Sequence, residues 1–92
     1  MASRTKYSVS MSERSYWTRK DALKEAILVW KMCVREYGYN NPLIGVYADR
    51  KKIGFLSRGV DGKFYFFDNE KGTFPVKSDG TLGSKVGRVK YI

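Results

Sequence analysis

Three adjacent basic residues, Arg50, Lys51 and Lys52, stand between two apolar runs of the chain, in the segment ADRKKIG of residues 48–54. Lysine and arginine side chains bind phosphate and carboxylate groups, lysine as a compact charge and arginine as a planar fork of donors. Because the segment joins two predicted strands, we expect it at one end of a sheet, where phosphate-binding loops often lie. Alternatively, these charges only keep a hairpin tip solvated and a sheet edge unpaired.

Groups suited to catalysis are sparse in this sequence. It contains no histidine, and its nine acidic residues show no spacing that would pair two carboxylates for acid–base chemistry. The single cysteine, Cys33, falls on the apolar side of a predicted helix, where a thiol packs as a small hydrophobic group. One thiol without histidine builds no zinc site unless carboxylates supply the other ligands. We therefore expect no enzyme, no catalytic residue, no metal and no cofactor.

The net charge indicates what the protein binds. Eighteen Lys and Arg residues against nine Asp and Glu residues give +9, with an isoelectric point near 9.8. Self-repulsion at this level destabilises the fold, so an anionic partner is the reasonable inference: nucleic acid, or a complex that contains it. The alternative is that the charge serves only solubility.

Length and hydropathy predict one globular domain over residues 1–92. A chain of this size buries roughly two thirds of the surface that it exposes when unfolded, which is enough for one small core. The longest apolar run, residues 26–30, is too short to span a bilayer, and the N-terminus lacks the pattern of a signal peptide. We therefore expect a cytoplasmic protein with no membrane contact and no small-molecule substrate.

The first elements are a strand and a long helix. Residues 6–11 alternate between apolar and polar side chains, as a half-buried strand does. Thr18 and Asp21 have the spacing of a helix N-terminal cap, and Gly38 provides a stop, so the sequence predicts a helix over Arg19–Tyr37.

The helix has an apolar side, a basic side and an acidic side. At about 100° per residue, its core arc is predicted to hold seven residues: Leu23, Ala26, Ile27, Trp30, Cys33, Val34 and Tyr37. A basic stripe lies beside that arc, formed by Lys20, Lys24, Lys31 and Arg35. The stripe either binds an anionic partner or keeps a surface helix solvated. Leu28, Val29 and Met32 fall outside the core arc, and an apolar patch flanked by charge favours docking on a protein.

The second half of the chain predicts antiparallel strands over residues 43–47, 53–57 and 63–68. Asp61-Gly62 is typical of a two-residue hairpin turn, which would place Val60 opposite Lys63 and Arg58 opposite Tyr65. In that register Phe55, Phe64 and Phe66 share one face, and Leu56, Arg58, Tyr65 and Phe67 share the other. Asp79-Gly80 predicts a C-terminal hairpin of residues 74–77 and 86–92, with Pro75 on an edge strand.

The expected fold class is therefore α+β. One amphipathic helix packs on a small antiparallel sheet, in the order β-α-β-β-β, followed by a short C-terminal hairpin. On this fold, Tyr65 and Phe67 beside Arg58 form a candidate surface for stacking unpaired bases. The alternative is that a layer made by the C-terminal strands buries the same face. The candidate binding residues are thus Arg50, Lys51, Lys52, Lys20, Lys24, Lys31, Arg35, Arg58 and Tyr65.

In size and layout the chain resembles the small phage-encoded anti-CRISPR proteins, in particular those that act on type I-F surveillance complexes. The resemblance runs from KYSVSM through TRKDALKEAILVWKMCVREYG to KFYFFD and includes no diagnostic motif, so it assigns no functional residue. It implies an inhibitor in the cytoplasm of the host bacterium. Such an inhibitor would dock on a Cascade-type ribonucleoprotein loaded with guide RNA and block target DNA binding. The alternative is a stand-alone nucleic-acid-binding module that contacts phosphates with little sequence specificity.

Overall fold

The computed structural model describes residues 4–90. Its elements are β1 (Tyr7–Val9), β2 (Ser15–Tyr16), α1 (Arg19–Tyr37), β3 (Ile44–Ala48), β4 (Lys51–Arg58), β5 (Phe64–Asp68) and β6 (Gly72–Pro75). The six strands form one antiparallel sheet in the spatial order β2-β1-β3-β4-β5-β6, and α1 packs on one face of that sheet. The α+β class and the order of its predicted elements are confirmed. The two-residue strand β2 was not predicted.

The helix begins and ends at the predicted residues. Thr18 Oγ1 accepts a hydrogen bond from the Asp21 N–H at 3.1 Å, which satisfies one of the free donors of the first turn. Gly38 has a φ of 70°, and its N–H donates to the carbonyl oxygen of Val34 at 3.1 Å. Only glycine adopts this left-handed conformation without strain, so the helix ends there.

One hydrophobic core lies between α1 and the sheet. The helix contributes Leu23, Ala26, Ile27, Trp30 and Cys33, as predicted, and the sheet contributes Val9, Ile44, Val46, Leu56 and Phe66. The Trp30 ring meets Phe64 edge-on, with 4.9 Å between ring centroids. Its Nε1 donates to Asn41 Oδ1 at 2.9 Å, so the buried indole has a polar partner.

The buried side of the helix is wider than the predicted arc, because it also includes Ala22 and Val29, and it ends before the last turn. Val29, expected outside the core, is only 5% exposed, whereas Tyr37 at the last turn is 56% exposed and Val34 is half-buried. Val29 lies on the side of the helix where the connection between β1 and β2 contacts Glu25 and Cys33, one turn before and one turn after it. There Ser12 Oγ donates to Glu25 Oε2 at 2.9 Å, and Met11 Sδ lies 3.5 Å from Cys33 Sγ.

The predicted register of the β4–β5 hairpin is wrong by one residue. Arg58 pairs with Phe64, and the Gly59 N–H donates to the Lys63 carbonyl oxygen at 2.8 Å, so the loop has three residues, 60–62, instead of two. Only Gly62 has a positive φ, 85°. The Asp61 carboxylate explains the longer loop, because its Oδ1 accepts from the Lys63 N–H at 3.0 Å and its Oδ2 from the Tyr65 hydroxyl at 2.6 Å.

This shift exchanges the faces of several side chains, since directly paired residues share a face. Leu56, Arg58, Phe64 and Phe66 lie on the helix side, and Phe55, Tyr65 and Phe67 lie on the other. The Phe55 and Phe67 rings stack at 4.8 Å between centroids. The predicted grouping of Arg58 with Tyr65 and Phe67 is therefore wrong.

The C-terminal segment pairs with the sheet only at isolated points. β6 is the edge strand, as the position of Pro75 predicted. The C-terminal segment forms one bridge to it, between Val86 and Thr73, and a second between Leu82 and Val76, the residue after β6. Residues 86–90 form no strand, and residues 91–92 of the predicted strand lie outside the described residues. The turn between Val76 and Leu82 lies against the helix, because a Cβ at Gly80 would overlap the carbonyl oxygen of Lys20.

Candidate nucleic-acid interface

The sequence predicted a basic cluster of Arg50, Lys51 and Lys52 at the β3–β4 turn. In the structure, Arg50 lies in the turn and the two lysines belong to β4. Ala48 pairs with Lys51, so the turn itself is Asp49-Arg50, and both residues have a positive φ, 49° and 72°. Lys51 and Lys52 are the first two residues of β4, and all three basic side chains are exposed. Arg50 borders a depression on the face away from the helix, whereas Lys51 and Lys52 border a groove that Arg19, at the start of α1, also lines.

The groove lies between the start of α1 and the ends of two hairpins. It has a volume of about 270 Å³, and its charged residues are Arg19, Lys51, Lys52, Lys71, Asp68 and Glu70. The Asp68 carboxylate accepts from the backbone N–H groups of Glu70 at 2.8 Å and Lys71 at 2.9 Å. Because these bonds compensate part of the Asp68 charge, the cations dominate the groove.

The depression on the other face surrounds a residue that the sequence analysis missed, Trp17. It has a volume of about 530 Å³ and is lined by Arg4, Lys6, Ser8, Ser15, Trp17, Asp49 and Arg50. The Trp17 side chain is 52% exposed. The Arg4 guanidinium carbon lies 4.9 Å from the centre of its ring and Lys6 Nζ lies 5.6 Å from it, both within the range of cation–π attraction.

Strand register explains why these residues meet. Tyr7 pairs with Tyr16, so the next residues along the two strands, Lys6 and Trp17, face each other. On the other side of β1, the Lys6 N–H donates to Asp49 Oδ1 at 2.9 Å, and the Asp49 N–H donates to the Lys6 carbonyl oxygen at 2.8 Å. Lys6 therefore joins Trp17 to the Asp49-Arg50 turn. The sequence does show two basic residues at alternate positions, Arg4 and Lys6. That pattern leads to Trp17 only when the pairing of β1 with β2 is known.

The predicted basic stripe of the helix is exposed but separate. Lys20, Lys24, Lys31 and Arg35 all face solvent, and none of them lines the groove or the depression. Among residues 4–90 the only ion pair joins Arg35 Nε to Glu36 Oε1, at 3.4 Å on the surface, where solvent screens it. Leu28 lies in the middle of the exposed side of the helix and is 55% exposed. Val29 and Met32 do not extend that apolar patch, since the first is buried and the second is half-buried.

Arg58 and Tyr65 do not form the predicted stacking surface. The Arg58 guanidinium carbon lies 5.0 Å from the centre of the Trp30 ring, so this side chain packs over the core tryptophan. Tyr65 is only 7% exposed, and its ring lies against Gly59. The hydrogen bond to Asp61, with a smaller contribution from burial, raises the pKa of Tyr65. The same bond, followed by the Lys63 N–H, lowers the pKa of Asp61. A base has no access to the Tyr65 ring in this arrangement.

Cys33 is fully buried, and burial raises the pKa of its thiol. Within residues 4–90, no three His, Cys, Asp or Glu side chains are arranged to hold a metal ion. The helix Arg19–Tyr37 is too polar to cross a membrane, and the described part of the chain contains no other helix.

Comparisons of the chain with protein-family models, curated proteins and solved structures find no match.

Proposed function

We propose that this protein is a non-enzymatic, stoichiometric binder of nucleic acid, which it contacts through phosphate groups at the end of the sheet that carries the β3–β4 turn. The observation behind this proposal is the charge around that end. Arg4, Lys6 and Arg50 line the depression, and Arg19, Lys51, Lys52 and Lys71 line the groove. The nearby acids are fewer, and backbone N–H groups already bind Asp49 and Asp68. Excess positive charge of this kind suits a polyanion.

The salt dependence of binding tests this proposal. Each Lys or Arg that neutralises a phosphate contributes about 0.9 to the slope of log affinity against log salt on duplex DNA, and about 0.7 on a single strand. The double variant Arg50→Ala/Lys52→Ala should therefore weaken oligonucleotide binding and flatten that slope by up to about 2 units. Thermal stability should stay equal or rise slightly, because self-repulsion falls.

A matched control removes the same charge from the other end of the sheet. Lys63 precedes β5, Lys77 follows β6, and both are exposed. Lys63→Ala/Lys77→Ala should leave the slope close to that of the parent, and Lys24→Ala/Lys31→Ala tests the helix stripe in the same way. Equal losses of oligonucleotide affinity in all three double variants would mean that only the net charge of the protein affects binding. No loss in any of them at low salt would make the +9 charge a solubility feature and the proposal wrong.

A second candidate is that the nucleic acid belongs to a ribonucleoprotein, such as the guide-RNA-loaded surveillance complex to which the resemblance points. The observation that favours it is Leu28, an exposed apolar side chain between Lys24 and Lys31 on the helix surface. An apolar residue surrounded by charge is more typical of a protein interface than of a phosphate contact. In this candidate, the protein inhibits target DNA binding by occupying the complex, and it does so without mimicking DNA because it is basic.

Purified surveillance complex and labelled target DNA test this candidate. The protein should abolish target binding at a fixed molar ratio to the complex, whatever the incubation time, since an occupying inhibitor does not turn over. Leu28→Ser should raise the concentration needed for inhibition by roughly tenfold, in line with the truncation of an interface contact, and leave the affinity for free oligonucleotides unchanged. Inhibition that progresses with time at substoichiometric protein would contradict both the occupancy mechanism and the absence of catalysis.

A further inference from the structure

Trp17 differs from the other tryptophan of the chain in a way that core packing does not explain. Trp30 is 5% exposed, meets Phe64 edge-on and donates its Nε1 proton to Asn41. Trp17 is 52% exposed, and it lies at the border of a depression whose other lining residues, among those that the structure describes, are polar or charged. Exposing half of so large an apolar side chain forfeits much of the stabilisation that burial gives. Two cations, Arg4 and Lys6, lie over its ring within the range of cation–π attraction.

The charges around Trp17 are arranged to meet an anion. Arg4, Lys6 and Arg50 line the depression, and within residues 4–90 Asp49 is the only acidic residue that lines it. The Asp49 carboxylate accepts from the Lys6 backbone N–H, and Asp49 lies in the tight turn that carries Arg50, so its position is fixed by the backbone. Ser8 and Ser15, which pair directly across β1 and β2, add hydroxyl groups to the floor. The depression therefore combines one aromatic face with several phosphate-binding groups.

Its size fits a nucleotide. The volume of about 530 Å³ falls within the range of about 300–1,000 Å³ that is typical of clefts for small organic ligands. Aromatic side chains beside basic ones are the means by which proteins hold single strands, since every base has a face that stacks and every nucleotide carries a phosphate. In a duplex the base faces are covered by their neighbours, so a half-exposed indole gains nothing from a duplex.

We propose that Trp17, with Arg4, Lys6 and Arg50, forms a site for an unpaired nucleotide of a single strand: the base stacks on the indole and the adjoining phosphates contact the three cations. This inference rests on the proposed function, which requires only phosphate contacts, and it adds the class of nucleic acid. The chain would then prefer single-stranded over double-stranded nucleic acid of equal length.

The decisive experiment compares a short single-stranded oligothymidylate with an abasic oligomer of the same length and phosphate number, both titrated into the full chain. Stacking of one base on an aromatic side chain changes affinity by roughly 5- to 150-fold. We expect the parent to bind the base-bearing strand more tightly by a factor in that range. Trp17→Ala should bind both oligomers equally, and Trp17→Phe should keep part of the preference.

Fluorescence supplies an independent readout. Binding of the base-bearing strand should quench the exposed Trp17, and the quenching should be absent in Trp17→Phe, in which Trp30 is the only tryptophan. Emission from Trp30 also reports that each variant is folded, because a buried and an exposed indole emit at different wavelengths. Arg88→Ala, at an exposed basic residue outside the depression, serves as the control and should retain both the preference and the quenching.

The possible outcomes separate the inference from the function on which it rests. Equal affinity of the parent for the two oligomers, a preference that survives Trp17→Ala, or tighter binding of a duplex of equal length would each overturn the single-strand site. The phosphate-binding function would stand in all three cases. If neither oligomer nor duplex binds at low salt, the proposed function is itself wrong.

Discussion

Asp61 and Tyr65 show how one residue pair controls both a turn and its response to pH. Tyr65 Oη donates to Asp61 Oδ2 at 2.6 Å, which closes the three-residue loop against the start of β5. The bond favours the carboxylate over the carboxylic acid and the phenol over the phenolate. It therefore lowers the pKa of Asp61 below its ordinary value of 3.8 and raises the pKa of Tyr65 above its ordinary value of 10.0.

These two shifts predict the pH dependence of stability. A lowered carboxyl pKa contributes stability that is present above about pH 4 and is lost as the pH falls through the pKa of the folded state. A raised phenol pKa contributes stability that is fully present below about pH 10 and is lost as the pH rises through the folded value. In Tyr65→Phe the free energy of unfolding should fall at neutral pH and should depend less steeply on pH at both extremes. Urea unfolding of the parent and of Tyr65→Phe at a series of pH values measures this free energy.

Tyr37→Phe, at an exposed tyrosine of the helix end, is the matched control and should reproduce the parent curve. Some acid dependence should remain in Tyr65→Phe, because the backbone N–H of Thr81 keeps the pKa of Asp79 low in the second Asp-Gly turn. Identical pH curves for Tyr65→Phe and the parent would contradict a stabilising role for the Asp61–Tyr65 bond.

At the scale of elements, the C-terminal turn and the helix are held together by a backbone contact at Gly80. Gly62 and Gly80 have similar positive φ angles, 85° and 92°, but only Gly80 lies against another element. Gly62→Ala should lower the free energy of unfolding by about 1–2 kcal/mol, because a side chain is strained in the left-handed region. Gly80→Ala carries the same strain and also forces its Cβ into the Lys20 carbonyl, which adds about 1–3 kcal/mol. Chemical denaturation of the two variants measures the difference, and equal losses would show that the turn does not rest on the helix.

The elements also show what the sequence could predict. The ends of the helix followed from Thr18 and Gly38, because caps are local and depend on few residues. The register of β4 and β5 did not, since it depends on where the Asp61 carboxylate finds donors. β2 has only two residues, too few for any periodicity, and without β2 nothing places Trp17 beside Lys6. The candidate site was therefore half predictable: Arg50 belongs to a recognisable turn, whereas Trp17 depends on pairing between strands.

At the scale of the whole molecule, the main feature is the distribution of its positive charge. The chain carries +9, and within residues 4–90 only one pair of oppositely charged side chains lies within ion-pair distance. The unneutralised cations are spread over the end of the sheet and along the helix stripe, on surfaces that do not share a groove. A partner that covers both surfaces must wrap around the start of the helix, and such a partner would relieve more self-repulsion than one that covers either surface alone.

The two edges of the sheet determine whether copies of the protein can add strands to one another at high concentration. On the β6 side, the Gly83 N–H donates to the Pro75 carbonyl oxygen at 2.8 Å and the Val86 N–H donates to that of Thr73 at 2.9 Å. On the other side, β2 offers only two residues. An incoming strand from another copy finds backbone acceptors already used on one border and almost no length on the other. Fibre growth by strand addition is thus disfavoured at both borders, so copies of the protein can accumulate without joining their sheets into filaments.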